Sequence, residues 1–331
     1  MTLDPLQQSI CKTLAYFDLA DFPLTKEELF AYLWQPPRAN YDDFLTVILA
    51  SSVIPAKAGI QGGDGFRIPV RNDIAEKHGY FFLPDREQIV ESRRRRLVTS
   101  EIKIKIAKKA IRKIRSIPFL RAVFVCNSVG SYQAEEDSDI DFFIVAEPGR
   151  IWLVRFFSNL ILRLRGLRTY GTKTKNKICL SFFVDLSHLN LAPWRVADDD
   201  IHFAYWLHQM APVYNPENLY QRFLQANGWT EKYLLNINLL PHTDYLKKVA
   251  DSRLGKIWKK AWEKMWESGY GNLLEKQARE WQIMKMKFSV KEKAEKGDRG
   301  IVLADGVIKL HENDTRRKHR ENWLSKIKIY E

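Results

Sequence analysis

The stretch that decides the fold is Arg121–Glu147, RAVFVCNSVGSYQAEEDSDIDFFIVAE. An apolar run from Ala122 to Cys126 reads as a buried strand, Asn127-Ser128 as a small polar turn, and the residues after it as a loop. A second strand then carries Asp139 and Asp141 among Ile140, Phe142, Phe143, Ile144 and Val145. Strand side chains alternate with period two, so the two carboxylates project from one face while Ile140 and Phe142 point into the core. Strands are depleted in Asp, and this one is too apolar for a solvated edge. Two carboxylates side by side repel one another, and a divalent cation between them relieves the repulsion. Mg²⁺ prefers one or two carboxylates together with substrate phosphates.

The segment resembles the nucleotidyltransferase superfamily of DNA polymerase beta type. That signature is a Gly-Ser turn, a spacer of about ten residues and Asp-x-Asp on a strand. Gly130-Ser131 lies too close, with seven residues before Asp139, whereas Asn127-Ser128 leaves ten. Asn then replaces Gly at a turn position that uses left-handed backbone, which Asn tolerates. The resemblance implies an α/β (α+β) mixed-sheet core and a two-metal reaction that transfers NMP from an NTP such as ATP to an acceptor. It implies Mg²⁺ or Mn²⁺ on Asp139 and Asp141, with a third carboxylate on a later strand. Asp185, closing the run Ile178–Asp185, is the best-placed acid for that role, and an ordinary end-of-strand Asp is the alternative. Asn127 and Ser128 would hold phosphates, with Ser138 beside them. Lys173, with Lys175 and Lys177, would neutralise a triphosphate, unless these are simply exposed turn lysines. The nearby Gly166–Thr174 stretch approaches a P-loop, but its Lys comes one residue late and no helix follows.

Length and pattern suggest four parts: a winged-helix-like unit at 1–85, a basic connecting helix at 86–117, a core at 118–195 and a helical C-terminal part at 196–331. In the first, helices are expected near 7–18, 25–34 and 42–52, with Thr25 and Glu28 forming a capping box, then a β ribbon ending at Gly79–Leu83. The third helix begins with Asp42 and Asp43 and has no cation, so protein or substrate docking suits it better than DNA reading. The stretch Val53–Gln61 sits in that ribbon as a loop insertion.

Net charge is +13, which suits a polyanion: a nucleoside triphosphate, nucleic acid or an anionic membrane surface. Much of it lies at 93–115, where cations alternate with Ile and Ala in a long amphipathic helix. That helix is either a solvated face or a phosphate- or nucleic-acid-contacting one. The run Ile151–Arg165 reads as a helix covering the sheet rather than a membrane-surface one. Three distant cysteines, Cys11, Cys126 and Cys179, read as free buried thiols in a reducing compartment. With no spanning apolar run and no signal peptide, a cytoplasmic protein is expected. Trp258, Trp262 and Trp266 share a helix face and read as core. His311, Glu312 and Asp314 read as a helix start capped by Asn313 or Asp314. The acceptor stays open, and a non-catalytic relative or a winged-helix regulator remains the rival.

Overall fold

The computed structural model describes residues 3–51, 74–239, 248–297, 300–311 and 314–330. The chain is mixed α and β and divides into two compact units. The first comprises Met1–Arg95, Trp229–His242 and Arg317–Glu331, and the second Arg96–Gly228 and Thr243–Arg316. The inserted stretch Val53–Gln61 lies outside the described residues.

The first unit opens with α1 (Pro5–Asp18), β1 (Leu24–Thr25), α2 (Lys26–Ala31) and α3 (Tyr41–Ser51), followed by β2 (Ala75–Lys77) and β3 (Tyr80–Phe82). Its strands pair in the order β1-β3-β2, all antiparallel. Thr25 Oγ1 accepts from the Glu28 backbone N–H while the Glu28 carboxylate accepts from that of Thr25, which is the expected capping box. Trp34 is buried, stacked on Tyr233 at 4.8 Å. The first turns of α4 (Ile89–Ile114) belong to this unit, and Arg93 there pairs with Glu28 at 2.7 Å.

The second unit is built on a six-stranded sheet. In chain order its elements are β4 (Leu120–Cys126), the short helix α5 (Asn127–Gly130), β5 (Ile140–Ala146), α6 (Ile151–Leu164), β6 (Ile178–Asp185), α7 (Ile201–His208), β7 (Ala211–Tyr214) and α8 (Leu219–Ala226). There follow α9 (Arg253–Met265), α10 (Gly269–Met284), α11 (Phe288–Glu295), β8 (Ile301–Ala304) and β9 (Val307–Leu310). The sheet order is β7-β4-β5-β6-β9-β8. β4 runs antiparallel to β5, whereas β6, reached through α6, runs parallel to it, as a helical crossover requires.

Alternation assigns the two faces of β5 different partners. Ile140, Phe142 and Ile144 join Ile104, Ala107 and Ile111 of α4 and Trp152 and Val154 of α6 in one core. Phe143 lies on the opposite face with Phe124, Phe182, Phe223 and Trp206, ring centres 5.0–6.0 Å apart. Asp139 and Asp141 share that aromatic face, at the strand's N-terminal end.

The four-part division changes at its C-terminal end. Residues 196–331 form no separate helical domain: β7, β8 and β9 complete the sheet. All of α12 (Arg316–Ile327) except Arg316 belongs to the first unit. There Trp323 Nε1 donates to Lys12 O at 2.9 Å, and Lys326 pairs with Asp18.

Candidate functional site

β4 ends at Cys126, and the chain turns sharply at Asn127, whose φ of 54° is left-handed, as the Asn-for-Gly reading requires. The Asn127 side chain joins two elements. Its Oδ1 accepts from Trp206 Nε1 of α7 at 2.8 Å, and its amide hydrogen-bonds the Asp141 carboxylate. Gly130 is needed for a steric reason: a Cβ there would stand 2.5 Å from Val125 O and 3.1 Å from Gln209 O.

Lys103 of α4 fixes the loop before β5. Its Nζ, on a side chain 1% exposed, donates to Glu136 O (2.9 Å), Ser138 O (2.8 Å) and Asn176 Oδ1 (2.8 Å). The chain therefore enters β5 at a set height, which places Asp139. The basic stripe at 93–115 gives no sign in the sequence of this lysine's triple contact.

Asp141 pairs across the β5–β6 ladder with Cys179. One ligand atom each from Asp139, Asp141 and Cys179 lie within 4.8 Å of one another. Burial, then the neighbouring Asp139, pushes Asp141 up to about 6, against the hydrogen bonds of Asn127 and Cys179 and the charge of Arg168. Burial likewise raises Asp139, opposed by its backbone, Cys179, Arg168 and Lys103. The Cys179 thiol is driven up by burial and by both carboxylates, so it stays protonated and donates to them. Arg168, aimed by Asn159 Oδ1 and Ile178 O at 2.9 Å each, feels all three groups.

Compared with known protein families, with curated proteins and with solved structures, the chain matches none.

The other expected site residues fall in different places. Ser128 is half-buried beside Asn127, and its hydroxyl makes no hydrogen bond among the described residues. Ser138 Oγ accepts from Glu135 N at 3.1 Å and so belongs to the loop. Lys173 lies exposed in the turn it closes with Tyr170, and makes no contact with the carboxylates among the described residues. Lys175 instead pairs with Asp137 at 3.2 Å.

Asp185 is corrected. It sits across from Ala146, at the opposite end of β6 from Cys179, about 20 Å away at some 3.3 Å per residue. Its carboxylate accepts from Ser187 N (2.9 Å) and His188 Nδ1 (2.7 Å), and it abuts Gly306. It holds a turn and cannot share a cation with Asp141. Cys179 and Arg168 stand in its stead, and the signal for them was the helical crossover: parallel strands bring start to start.

A second buried charged cluster lies between β9 and α7. Asp314 accepts from Lys309 Nζ (2.9 Å) and Arg316 Nη2 (2.6 Å), and Arg316 also reaches Asp200 at 3.3 Å. Asp314 Oδ1 accepts from Arg316 N at 3.1 Å, which supports its reading as a cap, while Glu312 and Asn313 lie outside the described residues. Burial and then Lys309 hold His311 down to about 4. Its Nε2 stands 3.5 Å from Ser181 Oγ.

Proposed function

We propose that the second unit binds a nucleoside triphosphate with a divalent cation at Asp139 and Asp141, and that it is a nucleotidyltransferase acting on an acceptor yet to be identified. One observation carries the reading: two carboxylates on one strand face, both raised by burial, with the charge of Asp139 raising Asp141 further. A cation would replace the protons that such a pair otherwise recruits. The donors fit a hard cation in part. Two carboxylates suit Mg²⁺ or Mn²⁺, whereas the protonated Cys179 offers no third oxygen. A bound cation would neutralise phosphate charge and act as Lewis acid. Arg168 supplies fixed positive charge beside it, and Asn127 and Trp206 hold Asp141 in place. The left-handed Asn127, the half-buried Ser128 and the β4–turn–β5 order support the family resemblance.

A second reading has its own observation. With Asp185 remote and sulfur in the third place, the site also suits a protein that binds a metal nucleotide without turning it over. In the first unit, the order α1-β1-α2-α3-β2-β3 supports the winged-helix reading, and the acid-led α3 favours docking over DNA reading. Lys105, Lys109, Arg112 and Lys113 are exposed along α4 and are the proposed nucleic-acid contacts.

Fluorescent ATP and GTP analogues titrated with and without Mg²⁺ or Mn²⁺ test the site. Metal-dependent binding that Asp139→Asn/Asp141→Asn abolishes supports it, and pyrophosphate release on adding acceptor fractions separates the two readings. A folded protein that binds no nucleotide refutes both.

A further inference from the structure

Helix α9, RLGKIWKKAWEKM, is packed with its polar side inward. Lys259 is 9% exposed, and its Nζ donates to Leu120 O and, at 3.5 Å, to Arg115 O. Glu263 Oε1 accepts from Phe119 N (2.6 Å) and Arg121 Nη1 (2.7 Å). A Cβ on Gly255 would stand 2.6 Å from Ser116 Oγ, so the helix lies close against the body of the unit.

The outward side is apolar. Leu254, Ile257, Trp258 and Met265 are 80%, 62%, 57% and 52% exposed. With the exposed Ala261 they recur at steps of three and four, one continuous stripe along the helix. The reading of Trp258, Trp262 and Trp266 as core is corrected for Trp258, which faces solvent; Trp262 is half-buried, and Trp266 packs against the core and stacks on Phe157 at 5.8 Å. Flanking the stripe, Arg253, Lys256, Lys260 and Lys264 are all exposed, while the helix's one acid, Glu263, is turned inward. Exposed apolar side chains also occur on α10 and α11, at Tyr270, Leu273, Trp281, Met284 and Phe288.

We infer that α9 seats this protein on an anionic lipid surface. An apolar stripe with Trp and rims of cations alone is complementary to acyl chains below and anionic headgroups above. Thirteen residues make a helix of about 20 Å, too short for a bilayer core of about 30 Å, and among the described residues no helix is long and apolar enough to cross a membrane. The helix therefore lies in the plane of the interface. Charge decides against a second copy as the occupant, because a two-fold contact would bring the stripe's cationic rims against one another. Nucleic acid would use the cations but leave Leu254, Ile257 and Met265 without a role.

Co-sedimentation of the full chain with phosphatidylcholine vesicles, with and without phosphatidylglycerol, tests this. Binding is expected only with phosphatidylglycerol, and is abolished by Ile257→Glu/Trp258→Glu. Because both side chains are exposed, the circular dichroism spectrum and melting temperature stay unchanged. Replacing Lys256, Lys260 and Lys264 by Gln should weaken binding about fivefold per cation at low salt. Absence of binding to the anionic vesicles overturns the inference, as does binding that survives the Ile257/Trp258 double substitution. A dimer in sedimentation equilibrium that the double substitution dissociates, without vesicle binding, would assign the stripe to self-association instead. None of these outcomes depends on the nucleotide site.

Discussion

Cys179 stands directly across from Asp141 in the parallel β5–β6 ladder, and its thiol is kept protonated by burial and by the two carboxylates it faces. A metal drawn to this pocket meets two oxygen ligands and one sulfur. Cys179→Asp would offer a third carboxylate, and Mg²⁺ affinity should tighten on the order of tenfold, since hard-cation sites are tuned by ligand charge count. Cys179→Ser should leave Mg²⁺ binding nearly unchanged and weaken Zn²⁺ or Cd²⁺, which favour sulfur. Calorimetric titration with each metal, in the presence of a non-hydrolysable ATP analogue, measures both. If Cys179→Asp loosens Mg²⁺, the third position is not where the cation sits.

Lys103 tests how the carboxylates are positioned. Its ammonium is the shared partner of Glu136 O, Ser138 O and Asn176 Oδ1. Lys103→Met keeps the apolar stem and removes all three donors, leaving acceptors beside a buried position. The expected loss is roughly 3 kcal/mol, read from the urea midpoint. Metal-dependent nucleotide binding should weaken as well, because the loop that delivers Asp139 loses its anchor. A variant of unchanged stability would mean that water replaces the ammonium.

Gly130 separates packing from ligand contact. An added Cβ on Gly130 would strike Val125 O at 2.5 Å. Gly130→Ala should therefore lower stability by roughly 2 kcal/mol through overpacking, whether or not nucleotide is present. A substitution that spares the melting temperature and removes nucleotide binding would instead place Gly130 at the nucleotide site.

Much of this was legible in local pattern. Apolar runs and period-two alternation located β4, β5 and β6, with Ile178–Asp185 as expected. Thr25 and Glu28 announced the start of α2, and Asn127 its left-handed turn. What local pattern did not carry was register. Asp185 and Cys179 sit on the same strand, and which of them meets Asp141 depends on whether β6 runs parallel to β5. An antiparallel strand would have brought Asp185 to the pair. The α6 crossover makes it parallel, and a bulge sets three residues of β5 (Asp141 to Phe143) against four of β6 (Cys179 to Phe182). The orientation of α9 was equally hidden, because aromatic residues stand on both of its faces, and only the inward contacts of Lys259 and Glu263 tell them apart.

Asp141 makes stability fall as pH rises. Its folded-state value of about 6 lies above the ordinary carboxylate range, so the native state holds the proton more tightly than the unfolded chain does. Below about pH 4 both states are protonated and nothing is lost. Between about 4 and 6 the native state gives up its advantage, and above 6 the whole penalty is present. Asp141→Asn should thus stabilise the metal-free protein at pH 7 by about 2 kcal/mol and have little effect at pH 4. Urea unfolding in EDTA at both pH values checks this, and a gain of equal size at both would deny that titration is its source. Saturating Mg²⁺ with nucleotide should erase the difference by stabilising the wild type alone.

His311 works in the opposite direction through an overlapping window. Burial and the nearby Lys309 hold it down to about 4, so above about pH 6.5 it is neutral in both states and costs nothing. As pH falls from there towards 4, the unfolded chain takes up a proton that the native state refuses, and stability drops by up to about 3 kcal/mol before levelling off. In the wild type this loss is offset in part by Asp141, which gains over much of the same range, so the net profile should be shallow. His311→Gln removes one of the two opposing slopes. The difference in unfolding free energy between variant and wild type should rise steadily from pH 7 to pH 4. A pH-independent difference would place His311 outside the buried cluster of Lys309, Asp314 and Arg316.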